Sequence, residues 1–257
     1  MMARKRQRNA RVGVIAGLAV LGIAAAGVAG FAVLRPTPPP PVSEKVANYS
    51  ATPLPTKAAP VKVASIGDSY SAGSGATNLD LGWVQQLGRN QAWQLQNFAR
   101  GGTGYVAGTK DPVKAKDACN REACPSYGEM IAEAKTFGPE VVIVSGGRND
   151  YAIETEDEVT AIKGFYASLR QELPNAKIVA FSPLWDDDPA PASIPAIATA
   201  VKESVTAVGG VYLDSGQPLQ GKPELLASDS KHPNDAGYKV LFEKNLSLLQ
   251  QAGIAAK

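Results

Sequence analysis

From residue 61 onward, short apolar runs alternate with longer stretches of helical periodicity, and that alternation leaves the chain few ways to fold. Val61 to Ile66, Trp93 to Phe98, Val141 to Ser145, Lys177 to Phe181 and Gly210 to Leu213 have the length and apolar content of strands. Between them, Trp83 to Arg89, Tyr127 to Phe137, Asp157 to Leu173 and Ile194 to Val208 carry helical spacing. Asp235 to Ala252 follows as a further helix, with Asn234 as its N-cap and Gly253 as its stop. Strands separated by helices imply right-handed crossovers and a parallel sheet covered on both faces. The expected fold class is therefore α/β, in three α/β/α layers around a central parallel sheet of about five strands. Ligands of such sheets gather beyond the carboxyl ends of the strands. Ser69, Gly102, Asn149 and the loop after Phe181 are thus expected along one edge.

The residues before 61 do not fit that pattern. Residues 1–11 form a basic tail with Arg4, Lys5, Arg6, Arg8 and Arg11 and no acid. Val12 to Leu34 is an uncharged run of 23 residues, and about 20 suffice to cross the hydrocarbon core as a helix. Signal peptides usually have apolar stretches of only about 7–15 residues, so the length favours a transmembrane signal anchor. Small residues around Ala24 to Ala32 leave cleavage and secretion as the alternative. The basic flank predicts a cytoplasmic N-terminus, with everything after the anchor outside the cell membrane. Residues 35–60 hold Pro36, Pro38 to Pro41, Pro53, Pro55 and Pro60. This linker could reach up to roughly 80 Å in extended polyproline form. Residues 61–257 remain as one domain, large enough for a sizeable core.

Net charge has to be taken by region. Six of the 26 basic residues fall in positions 1–35, where there are no acids, so the rest of the chain counts 20 basic against 24 acidic residues. A mildly acidic domain without a basic stripe argues against a nucleic-acid partner. The two cysteines, Cys119 and Cys124, cannot form a metal site with a distant lone histidine. Outside the membrane, a local disulfide closing a small loop is the expected state.

The chemistry concentrates in four short motifs. Gly67-Asp68-Ser69 ends the first strand, where a tight turn can direct a backbone N–H at a ligand. Asn97-Phe-Ala-Arg-Gly101-Gly102-Thr103-Gly104 follows the second strand, and its glycines allow close backbone approach to a reacting group. Ser145-Gly-Gly-Arg-Asn149-Asp150 follows the third, and an asparagine amide there can donate to a developing oxyanion. The only histidine, His232, stands in Asp229-Ser-Lys-His232-Pro just before the last helix. Histidine is the usual base for a serine nucleophile, and an acid three residues earlier can fix its tautomer. Taken singly, each motif is ordinary turn or cap chemistry.

Their ordered combination resembles the SGNH hydrolases, also called GDSL esterases or lipases, over about residues 61–252. The resemblance implies the flavodoxin-like variant of the α/β fold and a serine esterase activity without cofactor or metal. It makes Ser69 the nucleophile, His232 the base and Asp229 the orienting acid. It makes the Ser69 and Gly102 amides and the Asn149 side chain the oxyanion hole. Spacing after Asn97 selects Gly102, although counting alone does not separate it from Gly101. No Gly-x-Ser-x-Gly elbow is present, which removes the α/β-hydrolase alternative.

The expected substrate is a small-molecule or glycan ester with a short acyl chain, since no long apolar insertion resembles a lipase lid. Transfer of the acyl group to an envelope glycan is the main alternative, with lipase and non-catalytic binding behind it. Tyr70, Tyr105 and Trp185 are candidates to line a cleft. Asp186-Asp187-Asp188 is expected to be a solvated charge run. Oligomeric state has no signature in the sequence.

Overall fold

The computed structural model describes residues 59–256. The basic tail, the apolar run Val12 to Leu34 and nearly all of the Pro-rich linker lie outside them. No helix among the described residues is long and apolar enough to cross a membrane.

Five strands, β1 (Lys62–Gly67), β2 (Gln94–Asn97), β3 (Val141–Ser145), β4 (Lys177–Phe181) and β5 (Val211–Leu213), form one sheet in the order β2-β1-β3-β4-β5. Every pairing is parallel, with Gly67 opposite Ser145 and Ser145 opposite Phe181. The central strands are continuous apolar runs because both faces are covered. Their side chains alternate between two cores. Ala64, Ile66, Val142, Val144, Ile178 and Ala180 face one, while Val63, Ile143, Val179 and Phe181 face the other.

The first core is closed by α4 (Tyr127–Phe137), α5 (Thr155–Glu172) and α6 (Ser193–Ala207). The second is closed by α2 (Trp83–Asn90) and α7 (Asp235–Gln251). Ser126 and Glu129 form a capping box at the start of α4, and the Asn234 side chain accepts the Gly237 N–H at 3.0 Å to start α7. Beyond α7, Gly253 takes the left-handed conformation with φ 67°.

Two helices depart from the sequence reading. The first, α1 (Ser69–Ala72), is a single turn directly after β1, too short to show periodicity. The second, α3 (Pro112–Cys119), buries only Ala115, so it has no apolar stripe to read. In the strand order 2-1-3-4-5 the connections reverse direction between β1 and β3, which opens a crevice at their carboxyl ends. Ser69 follows β1 and Asn149 follows β3 at that crevice.

Candidate active site

The β1–α1 turn sets the position of Ser69. Asp68 caps the one-turn helix, its Oδ1 accepting the Tyr70 N–H at 2.9 Å, and Gly73 ends it in the left-handed region at φ 94°. Gly67 is needed for close approach. A Cβ there would collide with the Ser145 carbonyl of β3 and lie 2.7 Å from the Ser71 Cβ. Ser71 Oγ donates to that carbonyl at 3.2 Å, and Asn97 Nδ2 donates to the Ser71 carbonyl at 2.8 Å. The turn is therefore bound to both neighbouring strands.

His232 reaches Ser69 from the segment before α7. Asp229 Oδ1 accepts the backbone N–H groups of Lys231 and His232, each at 3.0 Å, and its Oδ2 lies 2.5 Å from His232 Nδ1. His232 Nε2 in turn lies 3.0 Å from Ser69 Oγ. Partial burial acts to raise the Asp229 carboxyl, but the hydrogen bonds from His232 and Lys231 outweigh it and hold the group at about 2. Gly75 makes room for the ring. It has φ 91°, and a Cβ there would come within 2.7 Å of His232 Cβ. The Tyr70 hydroxyl donates to the Lys231 carbonyl at 2.6 Å and the Tyr238 hydroxyl to the Ser74 carbonyl at 2.6 Å, joining the two segments.

The loops after β2 and β3 bring amide donors to the same place. A Cβ at buried Gly101 would lie 3.8 Å from Ser69 Cβ and 3.3 Å from Ala118 Cβ of α3. Gly102 is exposed with φ 71°, and a Cβ there would strike Thr109 Oγ1. Neither glycine N–H is engaged by a backbone acceptor among the described residues. Asn149 Nδ2 donates to the Thr103 carbonyl at 2.9 Å, and a primary amide carries a second N–H.

Asp150 is fully buried and accepts the N–H groups of Tyr105, Val106 and Ala107 at 2.8, 3.2 and 2.7 Å. Burial pushes its carboxyl up, and the three N–H donors oppose that rise. It fixes the Gly104–Ala107 segment to the turn after β3 that carries Asn149. Tyr105 is thereby drawn into the core, with its hydroxyl 2.9 Å from that of Tyr166, and does not line a cleft.

The charge run after β4 is not solvated throughout. Asp186 is buried and accepts Arg148 Nη2 at 2.8 Å, while Asp188 is exposed. The buried Arg148 guanidinium lies between two rings, 4.8 Å from the Tyr70 centroid and 4.4 Å from the Trp185 centroid. Burial raises the carboxyl of neighbouring Asp68 to about 6, against the Arg148 charge and the Tyr70 N–H. Arg148, Asp150, Asp186 and Gly75 had no signal in the sequence, because each acquires its role from a distant partner.

Cys119, at the end of α3, is joined to Cys124. The segment returns to the body through an antiparallel bridge between Thr109 and Cys124. No cluster of three or more His, Cys, Asp or Glu side chains that could hold a metal occurs among the described residues. What the site presents is an Asp–His–Ser chain of hydrogen bonds beside amide donors, a geometry able to activate a hydroxyl for attack on an acyl carbon.

Residues 65–240 match the model of the GDSL-like lipase/acylhydrolase family. A GDSL lipase of Mycobacterium tuberculosis is 26% identical over 193 residues, covering 73% of this chain and 80% of that protein. Among solved structures, a family two carbohydrate esterase from Clostridium thermocellum, in complex with cellohexaose, superposes with a TM-score of 0.55 at 17% identity. That match covers 77% of this chain and 66% of the esterase. A salicylyl acyltransferase from a tetracycline biosynthetic pathway also gives 0.55 at 18% identity, covering 77% of this chain and 57% of that one. Both solved proteins are thus substantially longer than the matched region, and at these identities they speak for the fold. With the family match spanning most of the described residues, the chain belongs to the GDSL-like lipase/acylhydrolase family.

Proposed function

We propose that the protein is a serine esterase that hydrolyses carboxylic esters of short acyl chains. The observation that carries this reading is the relay from Asp229 Oδ2 to His232 Nδ1 at 2.5 Å and from His232 Nε2 to Ser69 Oγ at 3.0 Å. In the proposed reaction His232 takes the Ser69 proton as Oγ attacks the ester carbonyl. Ionised Asp229 holds the proton on Nδ1 and steadies the imidazolium. The Ser69 and Gly102 N–H groups and the second N–H of Asn149 receive the negative oxygen. Collapse expels the alcohol, which takes the proton from His232, and leaves an acyl-serine. Water, deprotonated by His232, then releases the acid and restores Ser69.

The sequence of residues 1–60 supports a setting for this activity. Val12 to Leu34 would anchor the chain, the Pro-rich linker would hold the domain away from the bilayer, and the basic tail would stay in the cytoplasm. A Cys119–Cys124 disulfide suits that external compartment. The same residues can pass the acyl group to a sugar hydroxyl instead of water, and an acyltransferase is among the solved proteins of similar fold.

The test compares the wild type with Ser69→Ala on p-nitrophenyl esters from acetate to palmitate. Serine-dependent turnover that is highest on short chains is expected, together with fluorophosphonate labelling of Ser69. A maximum at palmitate would replace the esterase reading with a lipase. Labelling without hydrolysis would favour transfer, and absence of both would leave a binding protein.

A further inference from the structure

We propose that Tyr151, braced by Trp185, forms a stacking platform for an uncharged pyranose, the alcohol portion of the ester that Ser69 attacks. The proposal rests on the esterase reading and adds a substrate class to it. A series of contacting rings, with the buried Arg148 among them, runs from the catalytic histidine to the surface. The His232 and Tyr70 ring centroids are 6.0 Å apart, and the Arg148 guanidinium lies 4.8 Å from the Tyr70 ring. Arg148 is 4.4 Å from the Trp185 ring, and Trp185 is 5.5 Å from Tyr151 at an interplanar angle of 70°. Tyr151 is 50% exposed, and it is the only aromatic among the exposed large hydrophobic residues in the described region. It stands two residues after Asn149, on the loop that leaves the carboxyl end of β3.

The platform is held rigidly. The Trp185 backbone N–H donates to Gln217 Oε1 at 2.7 Å, and Arg148 against its ring is held by Asp186 at 2.8 Å. The Tyr151 carbonyl accepts from Ser193 Oγ at 2.8 Å. Fixed aromatic rings give large contact area at little entropic cost, which suits the flat apolar face of a sugar.

Charge narrows the occupant. Around Tyr151 the chain carries exposed Glu154, Glu156 and Asp157, and beyond Trp185 it carries Asp187 and exposed Asp188. Residues 149–158 and 185–198 contain no lysine or arginine. Carboxylates accept hydrogen bonds from hydroxyl groups and repel anions. A neutral sugar fits these surroundings, whereas an anionic group would be repelled by these carboxylates.

The test uses the full-length protein and leaves Trp185 in place, because its removal would uncover Arg148. Wild type, Tyr151→Ala and Tyr151→Phe are compared on a mono-acetylated methyl glucopyranoside, ethyl acetate and ethyl octanoate. Tyr151→Ala is expected to raise KM for the sugar ester about tenfold, well beyond any change with ethyl acetate, and Tyr151→Phe to restore it. An unchanged KM for the sugar ester, or a loss confined to ethyl octanoate, overturns the platform. Failure of the esterase reading looks different, since no ester would then show Ser69-dependent turnover. In that event methyl glucopyranoside is titrated against indole fluorescence. Saturable quenching that weakens about tenfold in Tyr151→Ala supports the platform, and no quenching in the wild type overturns it.

Discussion

In the proposed mechanism Asn149 has two tasks within one amide. One N–H is committed to the Thr103 carbonyl at 2.9 Å, which aims the group. The other is available for the negative oxygen of the proposed intermediate. Asn149→Ala should therefore reduce kcat by roughly 10²–10³, the usual cost of losing one oxyanion donor, with little change in KM. Steady-state kinetics on a p-nitrophenyl ester read this directly, and wild-type turnover in the variant would remove Asn149 from the mechanism. Ser69, His232, Asp229 and Asn149 stand out in the sequence by residue type and order, and the fold brings the first three into one chain of hydrogen bonds. Asp150 could not be understood that way. Its meaning is three backbone N–H groups more than forty residues earlier in the chain. Gly75 was equally silent, since only the arrival of His232 makes its missing side chain matter. The run Asp186 to Asp188 misled because composition suggests solvent, whereas a buried arginine claims the first of the three.

Secondary structure was legible where burial imposes a period. The strands β1 to β5 and the helices α2, α4, α5, α6 and α7 all have at least one face in a core, and their positions follow from apolar spacing. The exposed α3 offers no such period, yet its Ala118 lies against Gly101 beside Ser69. Cys119 follows Ala118, so the link to Cys124 holds the end of the helix that touches the glycine. Replacing both cysteines by serine should destabilise the protein by about 2 kcal/mol on the chain-entropy account of a short closed loop. It should also lower kcat, because Gly101 and Gly102 lose their support. Denaturant unfolding and ester turnover measure the two effects separately. Reduced stability with full turnover would show that α3 does not hold the glycine pair.

Across the described residues, burial leaves three carboxyls, Asp68, Asp150 and Glu158, holding protons more tightly than usual, and for two of them the effect is large. Glu158, on α5, is 2% exposed, neither of its oxygens has a partner among the described residues, and burial with the Asp150 charge pushes it up to about 8. Asp68 is raised to about 6. In the unfolded chain both would titrate near about 4, so between that value and the folded values the native state binds more protons. The stability these groups contribute is complete below about pH 4 and is lost as pH rises through about 6 and then about 8. Glu158→Gln should flatten the second part of that decline. Its unfolding free energy should fall less than that of the wild type between about pH 5 and about pH 9, by up to roughly 4 kcal/mol. Parallel pH profiles for the two proteins would refute the assignment. The separation of 163 residues between Ser69 and His232 has a further consequence in time. A ribosome completes the serine, its turn and all five strands of the sheet before it reaches the histidine. On the proposed mechanism, the nascent chain carries throughout that interval a hydroxyl that His232 cannot yet deprotonate. The proposed esterase would then spare any ester encountered during synthesis until the segment leading into α7 has emerged and docked.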